Sequence, residues 1–341
     1  MSTRTGILAG GNWIVDFTKT IDVYPSQDAL ANILSETTGN GGSAYNLLVD
    51  LARMRAPFGL EAVGLIGTDE AGESIRTECQ REGIDTAQLH RCESAPTSYT
   101  DVMSVASTGR RTFFHQRGTN ALLGPEHFDF SCCRAKFFHL GYLLLLDLLD
   151  QPCPNNGTVA AGLLKRARAE GFKTSLDVVS EDSDRFAAIV RPALRHADYA
   201  ILNEFETERT TGIRIRTEKG MDATALHHAA RALLEAGVHE WVVIHFPEGA
   251  LAAHHDGRLA IQGSVQLPQE KIAGATGAGD AFCAGLLFGL HEAQPIETCL
   301  RQGVCAAAAC LTRVDCSSGL RPLAECLRLG EEFGFRKPLA V

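Results

Sequence analysis

The stretch G-A-T-G-A-G-D-A-F, residues 274–282, decides the fold. In T-G-A-G-D the two glycines let the backbone turn tightly and come close to a ligand. The run that follows, 281–290, is apolar enough for a buried helix. A helix that starts there aims unpaired N–H groups and a partial positive charge at the turn. That suits a phosphoryl group, whose negative charge spreads during transfer. Asp280, at the edge of the turn, is placed to accept the proton of an attacking hydroxyl, as a general base does. An aspartate in a first helical turn can also serve only to complement the dipole. The local pattern leaves both readings open.

Outward from this turn, the chain alternates. Residues 6–11 read as a buried strand ending in glycines, 42–54 as a helix with apolar Ala44, Leu47, Leu48 and Leu51, and 61–66 as a short strand. Residues 70–82 read as an amphipathic helix closed by Gly83. Further strands are expected at 135–140, 172–177, 199–202 and 241–245, with helices at 157–170, 184–195 and 222–236. Strands alternating with helices of this length predict βαβ units, and hence an α/β fold with a mostly parallel sheet. Two stretches break the rule. Residues 98–116 carry a hairpin pattern around A-S-T-G, and 14–38 hold extended, partly polar runs. Both fit a small β-rich flap on one body. With no repeat and no linker in sight, 1–341 reads as a single domain whose lid comes from insertions at about 14–40 and 96–120.

A net charge of −9 excludes a polyanionic surface as the main partner, so no nucleic acid is expected. The eleven cysteines form no C-x-x-C, and Cys283, Cys305 and Cys310 sit in apolar runs, which reads as reduced thiols in a reducing compartment. No apolar signal region follows residues 1–4, and the leucine cluster 143–146 is far too short to span a bilayer. The expectation is a soluble, cytoplasmic chain with no membrane partner. The pairs His227–His228 and His254–His255 lack the i,i+4 spacing that gathers metal ligands on a helix face, so they read as surface or lid residues.

A second glycine-rich helix start, G-N-G-G-S-A-Y-N at 39–46, offers backbone amides and the Asn46 amide to a polyhydroxylated ligand. G-G-N at 10–12 lacks the dinucleotide spacing. Asp16, after the first strand, is placed to hold hydroxyls or to be a solvated turn residue. The order of the segments carries a resemblance: Asp16, G-G-S-A-Y-N at 41–46, G-L-I-G-T-D-E-A-G at 64–72, N-E-F-E at 203–206 and G-A-G-D-A-F at 277–282. Each is weak alone. Five in this order resemble the ribokinase/PfkB family of sugar and nucleoside kinases over most of the chain.

The resemblance implies a doubly wound sheet flanked by helices, with a small β-sheet lid over the sugar. It implies ATP as phosphoryl donor, Asp280 as the base, and the amides of Gly277, Ala278 and Gly279 as the anion hole. Asp16, Gly41, Gly42 and Asn46 would hold the sugar, with Arg117 and Asn120 as further candidates or solvated loop residues. Asn203 and Glu206 would lie near the triphosphate and its hydrated Mg²⁺, with Glu206 acting through water; Gly249 and Gly279 would line the nucleotide phosphates, and the adenine would lie against 303–318. A homodimer through the lid is implied as well.

Two departures matter. The family usually writes D-T-x-G-A-G-D, and here Gly274 and Ala275 replace the first two residues, so activation by a monovalent cation is doubtful. In I-H-F-P-E-G, 244–249, Ile244 and Phe246 bring bulk where relatives keep small or polar residues beside the nucleotide. The reading is an ATP-dependent kinase of a small sugar or sugar acid. The alternatives are a nucleoside (adenosine-like) kinase and a degenerate sugar-binding sensor.

Overall fold

The computed structural model describes residues 4–218 and 220–340. Its frame is a nine-stranded sheet. In chain order its strands are β1 (Ile7–Gly10), β4 (Leu60–Gly67), β5 (Asp85–Cys92), β8 (Phe137–Leu143), β9 (Lys173–Val178), β10 (Tyr199–Asn203), β11 (Trp241–Phe246), β12 (Gly249–His254) and β13 (Leu259–Gly263). They lie side by side as β13-β12-β11-β10-β9-β8-β1-β4-β5. Pairing is parallel from β11 through β5 and antiparallel only where β12 and β13 turn back along the edge.

Strand residues alternate between two cores. Ile7, Ile201 and Val243 face one side, with α1 (Ser43–Arg53), α2 (Glu70–Arg81), α7 (Ala278–His291), α8 (Ile296–Leu311) and α9 (Leu323–Phe333). Leu8, Leu202 and Ile244 face the other, with α3 (Val159–Ala169), α4 (Phe186–Leu194), α5 (Glu204–Thr211) and α6 (Ala223–Glu235). A parallel sheet covered on both faces must be apolar on both, which is why its central strands read as continuous apolar runs. The expected doubly wound architecture is thus present.

Local chemistry sets the helix ends. Asp69 caps α2 by accepting from the Gly72 N–H at 2.9 Å, and Gly83 closes it in the left-handed region at φ 76°. α7 is buried along nearly its whole length, packed against α1 and α8.

The two irregular stretches form a second, four-stranded sheet: β2 (Ile14–Ile21), β3 (Ile33–Gly41), β6 (Ser98–Val105) and β7 (Arg111–Gln116), in the order β3-β2-β6-β7. β2 pairs with β6 in parallel and with β3 antiparallel, so the two insertions zip into one lid. The strands β5, β12 and β13 and the helices α5, α8 and α9 are additions to the elements expected from the alternation.

Candidate active site

Open α/β sheets bind ligands beyond the carboxyl ends of their strands. Here Tyr142, Asp177, Asn203 and His245 stand at or near the ends of β8, β9, β10 and β11, and all four line one chamber of about 410 Å³. The lid roofs it with Asp16, Thr100, Arg111, Phe113 and His115. Gly42 and Asn46 from the start of α1 close one side, and Ala275, Thr276, Gly277, Gly279 and Asp280 close the floor.

Asp280 sits at the centre of this arrangement, 5% exposed. Its Oδ2 accepts from Asn46 Nδ2 at 2.7 Å and from the Tyr142 hydroxyl at 2.9 Å. Burial first, and then the neighbouring Asp177, push its pKa up to about 7, against the lowering effect of those two donors. Asp177 is held below by Ser43 Oγ at 2.7 Å and the Tyr142 N–H at 2.6 Å. In the lid, burial pushes Asp16 to about 6 while a hydrogen bond from Thr100 works against it. His245 is pulled down to about 4 by burial, so the imidazole is neutral at pH 7.

The turn into α7 has the geometry its glycines allow. Gly277 is at φ 77°, and a Cβ there would lie 2.7 Å from the Cys316 carbonyl oxygen. Only glycine fits. Gly41 meets a different constraint, since a Cβ there would lie 2.4 Å from Asp16 Oδ2. The carboxylate of Asp16 therefore rests against bare backbone.

A second chamber of about 520 Å³ adjoins the first and shares Asn203, His245, Ala275 and Gly279 with it. Its walls are apolar, from Val265, Leu267, Ile272 and the α8 residues Val304, Ala307 and Leu311, and its rim carries Ser264 and Arg336. This is the shape of a slot for a flat ring with a polar tail. Glu206 lines the first chamber beside the shared Asn203, its Oε1 taking Ser180 Oγ at 2.8 Å and Asn203 Nδ2 at 2.7 Å, and its Oε2 the Asn203 N–H at 2.9 Å. Burial, opposed by these donors, pushes its pKa to about 8.

Asp16, Gly42, Asn46, Asn203, Glu206, Gly277, Gly279 and Asp280 therefore share one chamber, while Gly249 and Ala278 line the second. Gly41 stands behind Asp16. The remaining sugar-site candidates lie elsewhere. Arg117 is tied to the Leu144 carbonyl, Asp147 and Glu181, outside the lining, and Asn120 is fully buried with its amide paired to the backbone of Trp13. Both hold the loop after the lid rather than reach the chamber. Ile244 also differs from expectation: it is fully buried in the core on the second face of the sheet, and of that pair only Phe246, which shares this face at the end of the strand, lines the second chamber. The His254–His255 pair ends β12 in the body, away from the lid.

Tyr142, Asp177, His245, Arg111 and His115 were not picked out from the sequence. Their signal was positional, a polar residue at a strand's carboxyl end or alternate residues on a lid strand, and it becomes usable only once strand ends are known.

Two chambers meeting at the start of a buried helix have room for a phosphoryl donor beside an acceptor, and the family match makes the class a phosphotransferase with an alcohol as acceptor. The chain belongs to the pfkB family of carbohydrate kinases, whose model matches residues 14–322. It is 27% identical to a fructokinase of Escherichia coli over 79% of this chain and 84% of that one. It is 28% identical to the 2-dehydro-3-deoxygluconokinase of E. coli K12 over 73% of this chain and 80% of that one. The structure of an Arabidopsis thaliana ribokinase complexed with ribose and ATP superposes with a TM-score of 0.76 at 20% identity, covering 96% of this chain and 98% of that one. Among the described residues no helix is long and apolar enough to cross a membrane.

Proposed function

We propose that the protein transfers the γ-phosphoryl group of ATP to a hydroxyl of a small sugar or sugar acid. The observation that carries this is the place of Asp280, buried in the first chamber next to Gly279, which lines both chambers, with one oxygen held by Asn46 and Tyr142. Its other oxygen, Oδ1, is then available to an acceptor hydroxyl. In the step, the acceptor oxygen forms a bond to the γ-phosphorus, the bond from that phosphorus to the bridging oxygen breaks, the proton passes to Asp280, and ADP leaves. The amides at the start of α7 face the oxygens where charge gathers. The lid excludes water from the transfer.

The donor nucleotide would extend into the second chamber, with its ring against α8 and its phosphates toward Gly249 and Gly279. Asn203, which lines both chambers, and Glu206, which lines the first, offer hard oxygens of the kind Mg²⁺ takes. Because the oxygens of Glu206 already accept three hydrogen bonds, it would hold the ion through water. When bound, the ion neutralises phosphate charge. A monovalent activator is left out of the proposal, since Gly274 supplies no carboxylate and the Arg313–Val314 backbone lies within 3.2 Å of where its Cβ would stand.

A nucleoside acceptor is the second reading, supported by Phe113, whose ring lines the first chamber and could stack on a base. A panel of sugars, sugar acids and nucleosides assayed for ADP release with Mg-ATP separates the two. Turnover on none of them, with thermal stabilisation by a sugar, would instead support a sensor. We also read the lid's outer surface as the contact between two copies of the chain, because Leu30, Ile33, Leu34 and Phe114 are all more than half exposed there.

A further inference from the structure

Strand β7 turns Arg111, Phe113 and His115 inward, two residues apart, so that all three line the chamber that holds Asp280. Two of these side chains carry polar atoms that the protein itself leaves unused. The half-buried Arg111 side chain has neither a hydrogen-bond nor an ion-pair partner among the described residues. His115 turns Nδ1 to Thr100 Oγ1 at 3.0 Å, while its Nε2 is sealed from solvent without a partner.

The lid register fixes where these groups stand. Asp16 pairs with Thr100, and Thr100 with His115, so the three form a row across the lid. Arg111 lies four residues further along β7, about 13 Å by the rise of a strand. Burial pulls its pKa down, and the titratable groups that act against this are the thiols of Cys316 and Cys310. A guanidinium nevertheless stays charged at any ordinary pH, and a charge taken partly out of water needs a counter-charge. No carboxylate of the chamber supplies one.

We propose that the acceptor is an anionic sugar, a sugar acid whose carboxylate pairs with Arg111 while a hydroxyl meets His115 and the reacting hydroxyl lies at Asp280. The inference rests on the kinase reading of the same chamber and narrows it. A guanidinium fork matches one carboxylate through two parallel N–H···O bonds. A phosphate ester would also pair with Arg111, but it brings close to two charges into a chamber that already holds Asp16, Asp177, Glu206 and Asp280. One unpaired cation favours the monoanion.

The test is calorimetry on the nucleotide-free protein. Five- and six-carbon aldonates and 2-keto aldonates are compared with their matched neutral sugars and polyols and with the corresponding phosphate esters. An acid should bind the wild type about 10- to 100-fold more tightly than its neutral partner, the range of a hydrogen bond to a charged group. R111Q should erase most of that ratio, and R111K should restore part of it. Tighter binding of neutral sugars than of every acid overturns the proposal, and so does failure of every acid to bind; the wild type alone decides both. Preference for the phosphate esters assigns Arg111 to a phosphate and overturns the sugar-acid assignment. Equal loss of kcat on charged and neutral acceptors in R111Q, with binding unchanged, moves the arginine's action to the transferred phosphoryl group and overturns it too. ADP release from a neutral sugar without acid binding leaves the kinase standing and removes the anion site. Arg111-dependent acid binding without ADP release on any acceptor does the reverse.

Discussion

The Tyr142 hydroxyl donates to Asp280 Oδ2 at 2.9 Å, although the two residues are 138 positions apart in sequence. Tyr142 reaches it from the end of β8 with its own backbone in the left-handed region, φ 52°. Since non-glycine residues seldom adopt that conformation, the structure around Asp177, which accepts the Tyr142 N–H, holds the residue in place. The contact lowers the Asp280 pKa, which burial and Asp177 otherwise raise. If Asp280 is the base, kcat/KM must rise with pH and level off above about 7, because only the ionised carboxylate takes a proton. Removing the donor in Y142F should move that limb to higher pH, by roughly one unit. The loss at pH 7 should therefore exceed the loss at pH 9. A pH profile with equal losses at both would show that Tyr142 acts only on shape.

Asp280→Asn keeps an acceptor oxygen for Asn46 and Tyr142 but cannot ionise. Turnover should fall by on the order of 10³-fold, near the middle of what a positioned base contributes, while calorimetric sugar binding is largely retained. Stability should move the other way. The folded pKa of about 7 lies above the ordinary value of 3.8, so stability from protonation is fully present below about pH 4 and lost as pH rises through 7. D280N escapes that loss. Its Tm should exceed that of the wild type at pH 8, and the gap should narrow toward pH 5. A gap that stays constant across this range would show that Asp280 is not strained by its charge.

The second chamber makes its own prediction. Ala307 lies on α8 at the apolar wall, partly exposed, with the chamber in front of it. A307F would fill part of that space with a ring. The KM for ATP should rise about tenfold or more, with little change in the KM for the acceptor. Steady-state kinetics with each substrate varied in turn reads both. An acceptor KM that rose instead would place the nucleotide elsewhere.

The sequence made the frame legible because strand and helix periods are local: 70–82 and 98–116 announce themselves within their own residues. The turn at 274–282 was legible for the same reason, since glycines before a helix carry their meaning in place. Tyr142 and Asp177 were not, because each is a single polar residue whose neighbours lie in other strands. Arg117 shows the opposite error. Its basic side chain after a hairpin suggested ligand contact, but its partners Asp147 and Glu181 come from distant loops that no local pattern reveals. β5 was missed because its buried positions include Thr86 and Gln88, which do not stand out as an apolar alternation.

The lid's outer surface supports the last prediction. Leu30 is 82% exposed and Leu34 59%, both in or beside β3, whose far side has no neighbouring strand in the lid sheet. An open strand edge beside exposed leucines invites pairing with an identical edge. The wild type should therefore run as a dimer in light scattering coupled to gel filtration. The double variant L30D/L34D should shift toward the monomer, because it sets four like charges against one another across the two-fold contact. Its acceptor KM should rise at the same time, since β3 pairs with β2 and β2 carries Asp16 into the chamber. A monomeric wild type would remove the dimer, and a monomeric variant with unchanged kinetics would show that the lid closes without its partner.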